Sequence, residues 1–249
     1  MSSKIKVDTI ENVAGSGNVS LGSGHNLVVP GNITGQGTAA ITGTATLSGN
    51  ATVGGTLGVT GNATFTGDII KSTSGSSNFA AGVNAGNSIV SGGDNNVCVG
   101  DEAGTAITTG DLNVAIGSNA LKTISTHSNN TAVGAFAMDA GTGEKNVAIG
   151  SGALGGGSLT ASNTTAIGYN AGIALEGGAS NTIIGYEAMK NATAANNAVV
   201  IGYQAGYNLT TGGSYNCCYI GRTAGYTNQT GNSNTVLGQG SYYAGTGSQ

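Results

Sequence analysis

From Phe79 onward the apolar positions come in threes, and each triplet is closed by a glycine. The text runs FAAG, VCVG, VAIG, TAVG, VAIG, TAIG, TIIG, VVIG, CYIG and TVLG. The closing glycines are Gly82, Gly100, Gly117, Gly134, Gly150, Gly168, Gly185, Gly202, Gly221 and Gly238, spaced by 16 to 19 residues. A short period held this regularly marks a repeat array in which neighbouring units stack to bury a shared core. The nonapeptides NVAIGSNAL and NVAIGSGAL, at Asn113 to Leu121 and Asn146 to Leu154, are then the same coil met twice.

The triplets are rich in β-branched residues and predict short strands. The residue before each glycine is aliphatic, as in Ile116, Val133 and Ile149, and two places earlier stand Val114, Thr131 and Val147. These two positions share a face of the strand and are expected to point inward. The middle position, Ala115, Ala132 or Ala148, points the other way and is also apolar. A strand apolar on both faces is covered on both. One face fills the coil, and the other calls for a neighbour, most simply another subunit. Tyr219 sits at the middle position, so the contact between subunits is expected to widen there. After the glycine comes x-x-Ala followed by Gly, Leu or Met, as in Ala103–Gly104, Ala120–Leu121 and Ala188–Met189, which reads as a close corner. Between corners lie turn-rich stretches that belong on the surface. Ten coils at about 4.8 Å each make a rod of roughly 45–50 Å.

A second period lies upstream. Gly31, Gly37, Gly43, Gly49, Gly55, Gly61 and Gly67 are six residues apart, with apolar residues two before them at all but Gly35. Such hexads are too narrow to bury that column alone, and three chains side by side would close it. The expected organisation is a segment over 1–30, a Gly-every-six trimeric β shaft over 31–70 and a linker over 71–77. A β-roll repeat domain over 78–241 and a cap or tail over 242–249 complete it. The fold class expected is all-β: a homotrimeric fibre with an intertwined hexad-repeat β shaft and a parallel β-solenoid of about ten coils.

Composition sharpens this. Among 249 residues there are 47 glycines, no tryptophan, three phenylalanines and only 7% charged residues, so thin stacked structure is favoured over a thick core. The formal net charge is −4 with seven scattered Lys and Arg, which argues against nucleic acid as a partner. No apolar run approaches a membrane span, and MSSKIKVDTI lacks the apolar stretch of a secretory signal. Three cysteines, Cys98, Cys217 and Cys218, do not read as a disulfide framework but as small buried residues.

Candidate chemistry is sparse. His25 and His127 stand in turn text and offer no metal-ligand spacing. Asp101 and Glu102, or Glu176 and Glu187, recur with no partner at the spacing a glycosidase needs. GGDN at Gly92 to Asn95 is a fragment of a calcium-binding nonapeptide that does not recur. No enzyme, metal or cofactor is expected. The asparagines heading the coils, among them Asn96, Asn113, Asn130 and Asn146, suit left-handed turns and amide stacking from coil to coil. Tyr169, Tyr186 and Tyr203 each follow a repeat glycine and are expected to stack as a column, with Tyr207 and Tyr226 nearby. That column reads first as a structural ladder sealing the roll, with a receptor-facing surface for glycan as the alternative.

The NVAIGxxAL coils, from about Asn78 to Ser241, resemble the head repeats of trimeric autotransporter adhesins and, more closely, similar repeats in phage tail fibres. The opening SSKIKVDTIEN, the Gly-every-six stretch and VTGNATFTGDI are similar to the virion-proximal part of marine phage fibre proteins. The resemblance implies a structural fibre of a phage virion, made in the host cytoplasm and contributing to host-surface adhesion. It implies a homotrimer docked through its N-terminus on a tail, baseplate or adaptor protein, with a host glycan or protein as receptor. A capsid-attached head fibre and a polysaccharide depolymerase tailspike are the alternatives. A hexapeptide acyltransferase and an ice-binding solenoid fit less well, for want of a placed histidine and of regular TxT ladders. The end, GSYYAGTGSQ, reads as a coil capped by Tyr242 and Tyr243 or continued by a partner protein.

Overall fold

The computed structural model describes residues 75–157, 159–209, 216–228 and 232–242, together with Thr60. Apart from Thr60, these lie in one unit spanning Thr64–Gln249. The expected attachment segment over 1–30 and the rest of the hexad shaft lie outside the described residues, as do 71–74 and 243–249.

The described residues are all-β, with no helix, and form a parallel β-solenoid. Its main sheet is built from ten three-residue strands. They are β1 (Phe79–Ala81), β2 (Val97–Val99), β3 (Val114–Ile116), β4 (Thr131–Val133), β5 (Val147–Ile149), β6 (Thr165–Ile167), β8 (Thr182–Ile184), β10 (Val199–Ile201), β11 (Cys218–Ile220) and β12 (Thr235–Leu237). They stack in chain order, so the chain makes nine full turns between β1 and β12. Two further strands, β7 (Gly177–Ala179) and β9 (Ala194–Asn196), pair as a small second sheet on another side of the coil. Register never slips: Val114, Ala115 and Ile116 lie against Thr131, Ala132 and Val133, and these against Val147, Ala148 and Ile149.

Each strand stops at its repeat glycine for a steric reason. Gly134 has φ 137°, and a Cβ on it would stand 2.6 Å from the carbonyl carbon of Gly150 in the next coil. Only glycine tolerates both that backbone and that approach. Two more left-handed corners follow, and other residue types do occupy them. Two places after the repeat glycine stand Asn119 (φ 60°) and Phe136 (φ 57°), and two further on stand Leu121 (φ 49°) and Met138 (φ 49°). The solenoid holds ordinary side chains in this region at every turn, and stacking on both sides over-determines each corner.

The structure reverses the expected orientation of the strands. Ala115, Ala132, Ala148, Ala166, Ile183 and Val200, the middle residues, are fully buried inside the coil. Their flanks, such as Val114 and Ile116, face outward and are half-buried or exposed. Tyr219 accordingly lies in the core, fully buried, and widens no contact between subunits. The reason is cross-section: a coil of about 17 residues leaves room mainly for a methyl group at the strand centre.

In several coils the interior volumes compensate one another. Where Leu121, Met138 or Leu154 fills the third corner, the strand centre is alanine. Where that corner is Gly104 or Gly206, the centre is Cys98 or Val200, and Ile107 or Leu209 three residues on supplies the missing bulk. This is the close packing expected of protein interiors, obtained in slices one coil thick.

A polar column completes the interior. Asn96 Oδ1 accepts the backbone N–H of Asn113 (2.9 Å), Asn113 Oδ1 that of Asn130 (3.0 Å), and Asn130 Oδ1 that of Asn146 (3.1 Å). Their amide groups donate to carbonyls of the next coil, Asn96 to Gly110 (2.8 Å) and Asn146 to Ala161 (2.8 Å). Backbone groups that no strand pairs are satisfied this way. The left-handed residue is the one before each of these asparagines, as at Asn95 (φ 58°), Leu112 (φ 57°) and Asn129 (φ 64°).

Candidate functional site

Two outward features of the solenoid carry candidate function. The first is the outer face of the ten-stranded sheet. Because β-strand side chains alternate, the two flanks of every triplet project from it. One column runs Val97, Val114, Thr131, Val147, Thr165, Thr182, Val199, Cys218 and Thr235. The other runs Val99, Ile116, Val133, Ile149, Ile167, Ile184, Ile201, Ile220 and Leu237. In the single chain Ile116 and Ile220 are each 38% exposed and Leu237 is 63% exposed. A continuous aliphatic surface of this length is the kind that marks interaction sites. Of the three cysteines, Cys98 and Cys217 are buried, whereas Cys218 belongs to this outer face.

The second feature lies past the repeat glycines, where the backbone has turned its first corner. Tyr169, Tyr186 and Tyr203 stack with ring centroids 5.3 and 5.2 Å apart and planes 17° and 7° from parallel. The guanidinium of Arg222, in the same position one coil on, lies over Tyr203 at 5.6 Å and caps that end. Tyr207 and Tyr226 form a separate stacked pair at 5.0 Å, with the Lys190 ammonium 5.5 Å from the Tyr207 ring. Tyr219 and Tyr242 belong to neither column, the first lying in the core and the second packing against it.

Charges next to the ladder neutralise one another. Lys190 Nζ donates to Glu187 Oε1 at 2.6 Å, and Gln204 Nε2 donates to Glu187 Oε2 at 2.8 Å. These bonds, that from Lys190 first, hold the Glu187 carboxyl below the usual carboxylate range, and Lys190 is pushed up in return. The nearby Glu187 charge raises the Tyr186 phenol above its ordinary value. The three tyrosines are partly exposed, but each shared face is taken by its neighbour.

Several other acidic residues are held by the architecture. Glu102 pairs with Lys122 at 2.5 Å, and Asp94 Oδ1 accepts the backbone N–H of Ser76 at 2.6 Å. Asp111 Oδ1 accepts that of Asp94 at 2.7 Å, so the acid in GGDN belongs to a hydrogen-bond ladder between coils. Among the described residues no three His, Cys, Asp or Glu side chains converge as metal ligands would, and no helix there is long and apolar enough to cross a membrane. The glycines Gly100, Gly117, Gly134, Gly150, Gly168, Gly185, Gly202, Gly221 and Gly238 form a corner column, all at positive φ. Two residues at the corner escaped the sequence reading: Phe136, 51% exposed, and Gly152, which follows it one coil on. An aromatic residue two places after a repeat glycine was the available signal, since that place is otherwise polar, Gly or Thr.

No protein-family model matches this chain, no curated protein matches its sequence, and no solved structure matches its fold.

Proposed function

We propose that this chain is a structural fibre protein of a phage virion, non-catalytic, that assembles as a homotrimer and contributes to host-surface adhesion. The observation that carries the proposal is the outer aliphatic face. Two columns of Val, Ile and Thr run the length of the sheet in unbroken register, and a single chain leaves them facing water. Burying apolar area is worth about 25 cal/mol per Å², so a long flat face of this kind favours association along its whole length. Three copies turning these faces to a common axis would form a rod, leaving the loop sides and the tyrosine ladder outward. The N-terminal residues would dock on the tail, and adhesion would arise by adding weak contacts from several chains. The resemblance of the repeats to phage tail fibres points the same way.

Two measurements test this. Light scattering on the purified chain is expected to report a three-chain mass, and a well-folded single-chain species at micromolar concentration would refute the trimer. Immuno-electron microscopy of intact particles is expected to place the protein on a tail appendage. Labelling elsewhere, or of no particle at all, would refute the virion assignment even if the trimer stands.

A further inference from the structure

The backbone holds the stacked tyrosines at a fixed separation. Glu187 N–H donates to the Tyr169 carbonyl, and Gln204 N–H donates to the Tyr186 carbonyl, each at 2.8 Å. The rings are nearly parallel, with centroids 5.3 Å apart for Tyr169 and Tyr186 and 5.2 Å for Tyr186 and Tyr203. All three residues are partly open to solvent, unlike Tyr219 in the core. Phenols are readily oxidised by one electron, and two phenoxyl radicals held one coil apart, about 4.8 Å, meet far more often than radicals on separate molecules.

The surroundings grade the rings. The Arg222 guanidinium lies 5.6 Å from the Tyr203 ring, and the Lys190 ammonium 5.5 Å from the Tyr207 ring. A cation over a ring face opposes withdrawal of an electron from it. Among the described residues no cation lies over Tyr169 or Tyr186. Tyr186 instead feels mainly the Glu187 carboxylate, which raises its phenol and which Lys190 offsets only in part. Of the three stacked pairs, Tyr169 with Tyr186 is therefore the one that no cation protects.

We infer that Tyr169 and Tyr186 form an oxidative cross-linking site that takes a one-electron oxidant of the peroxidase–peroxide class and yields a dityrosine staple between successive coils. Each phenol gives up one electron and one proton. The two phenoxyl radicals join by a C–C bond between the carbons ortho to their hydroxyls. The hydrogens on those carbons then shift to the oxygens, which restores both aromatic rings. The two electrons and two protons lost reduce one hydrogen peroxide to two waters. The rings tilt toward each other to form the bond, a movement open to partly exposed side chains. The staple ties one coil to the next and removes freedom from the unwound chain, as a disulfide does. This inference depends on neither the trimer nor the virion assignment.

The test treats the full-length chain, at low concentration, with a haem peroxidase and hydrogen peroxide, and maps the products by peptide mass spectrometry. The expected product has lost two hydrogens, runs as a single chain on a denaturing gel and carries its link between Tyr169 and Tyr186. Its melting temperature should lie several degrees above that of the untreated chain. Tyr186→Phe keeps a ring in the stack but forms no phenoxyl radical, and should abolish the link. Tyr203→Phe should leave it in place. Circular dichroism confirms that both variants remain folded. Links found only between chains, a link that forms at Tyr207 and Tyr226 in preference, or no link at all would overturn the site. An unchanged melting temperature would overturn the staple. None of these results touches the light-scattering or microscopy measurements, so the two readings fail separately.

Discussion

The ring of Tyr219 occupies the space that a side chain on Gly225 would need. A Cβ on Gly225 would stand 2.7 Å from ring Cδ1 and 2.9 Å from Cε1, and Gly225 itself has φ 64°. The hydroxyl end of the same ring reaches two asparagines: Asn228 Nδ2 donates to it in a short contact, and Asn234 Nδ2 donates at 3.3 Å. Burial pushes the phenol above its ordinary value, so it stays protonated. Among the described residues Tyr219 is the one fully buried aromatic side chain, and it is matched by a glycine against its ring and by amides at its hydroxyl.

Gly225→Ala should destabilise the distal coils by about 2–4 kcal/mol, from overpacking and left-handed strain together. Tyr219→Phe should cost about 1–3 kcal/mol by removing the hydroxyl to which both amides donate. Tyr219→Leu combined with Gly225→Ala is expected to be less damaging than the sum of the single changes, since the residues touch. Chemical unfolding midpoints of the wild type, the double variant and the single variants Gly225→Ala, Tyr219→Leu and Tyr219→Phe check this.

Asn113 joins three coils: its backbone N–H donates to Asn96 Oδ1 at 2.9 Å, and its side chain accepts from Asn130 N–H and donates to the His127 carbonyl at 3.0 Å. Asn113→Ala should cost about 2–4 kcal/mol, because a buried N–H and a carbonyl both lose their partner. Amide exchange at Asn130 is expected to accelerate more than exchange at Val200, several coils away. Uniform acceleration would show that the ladder does not stabilise locally.

On the outer face, Ile116→Asp and Ile149→Asp place two charges in the isoleucine-rich column without touching the coil interior. Both positions are more than a third exposed in the single chain, so the fold should survive with a change of under about 1 kcal/mol per site. The light-scattering mass, by contrast, should fall toward that of one chain. An unchanged mass would move the contact between subunits elsewhere.

Acid should loosen the tyrosine corner. Glu187 has its carboxyl pKa lowered in the fold, chiefly by the Lys190 hydrogen bond. The stability it contributes is therefore present above the ordinary glutamate value of about 4.3 and lost as pH falls through the lowered one. The wild-type melting temperature should drop across that window more than that of Glu187→Gln. Parallel curves would assign the acid sensitivity to other groups.

Much of this architecture can be read along the chain. The repeat glycines give the period, the β-branched triplets the strands, and the recurring asparagine the polar column. The stacking of Tyr169, Tyr186 and Tyr203 follows from their common place after the glycine. Exposure of Phe136 and the closed ion pair of Lys190 become visible only once the corner is folded.

The sequence alone determined that this region would coil with a period near 17 and pair each strand with the next. A glycine held at φ near 130° admits no other residue, and identical triplets have only one register in which they align. Which side of each strand faces inward was decided by tertiary structure. Both faces of VAI are apolar, so alternation offers no preference. The choice falls to the narrow coil, whose interior accepts Ala115 at the centre and turns Val114 and Ile116 out to the surface.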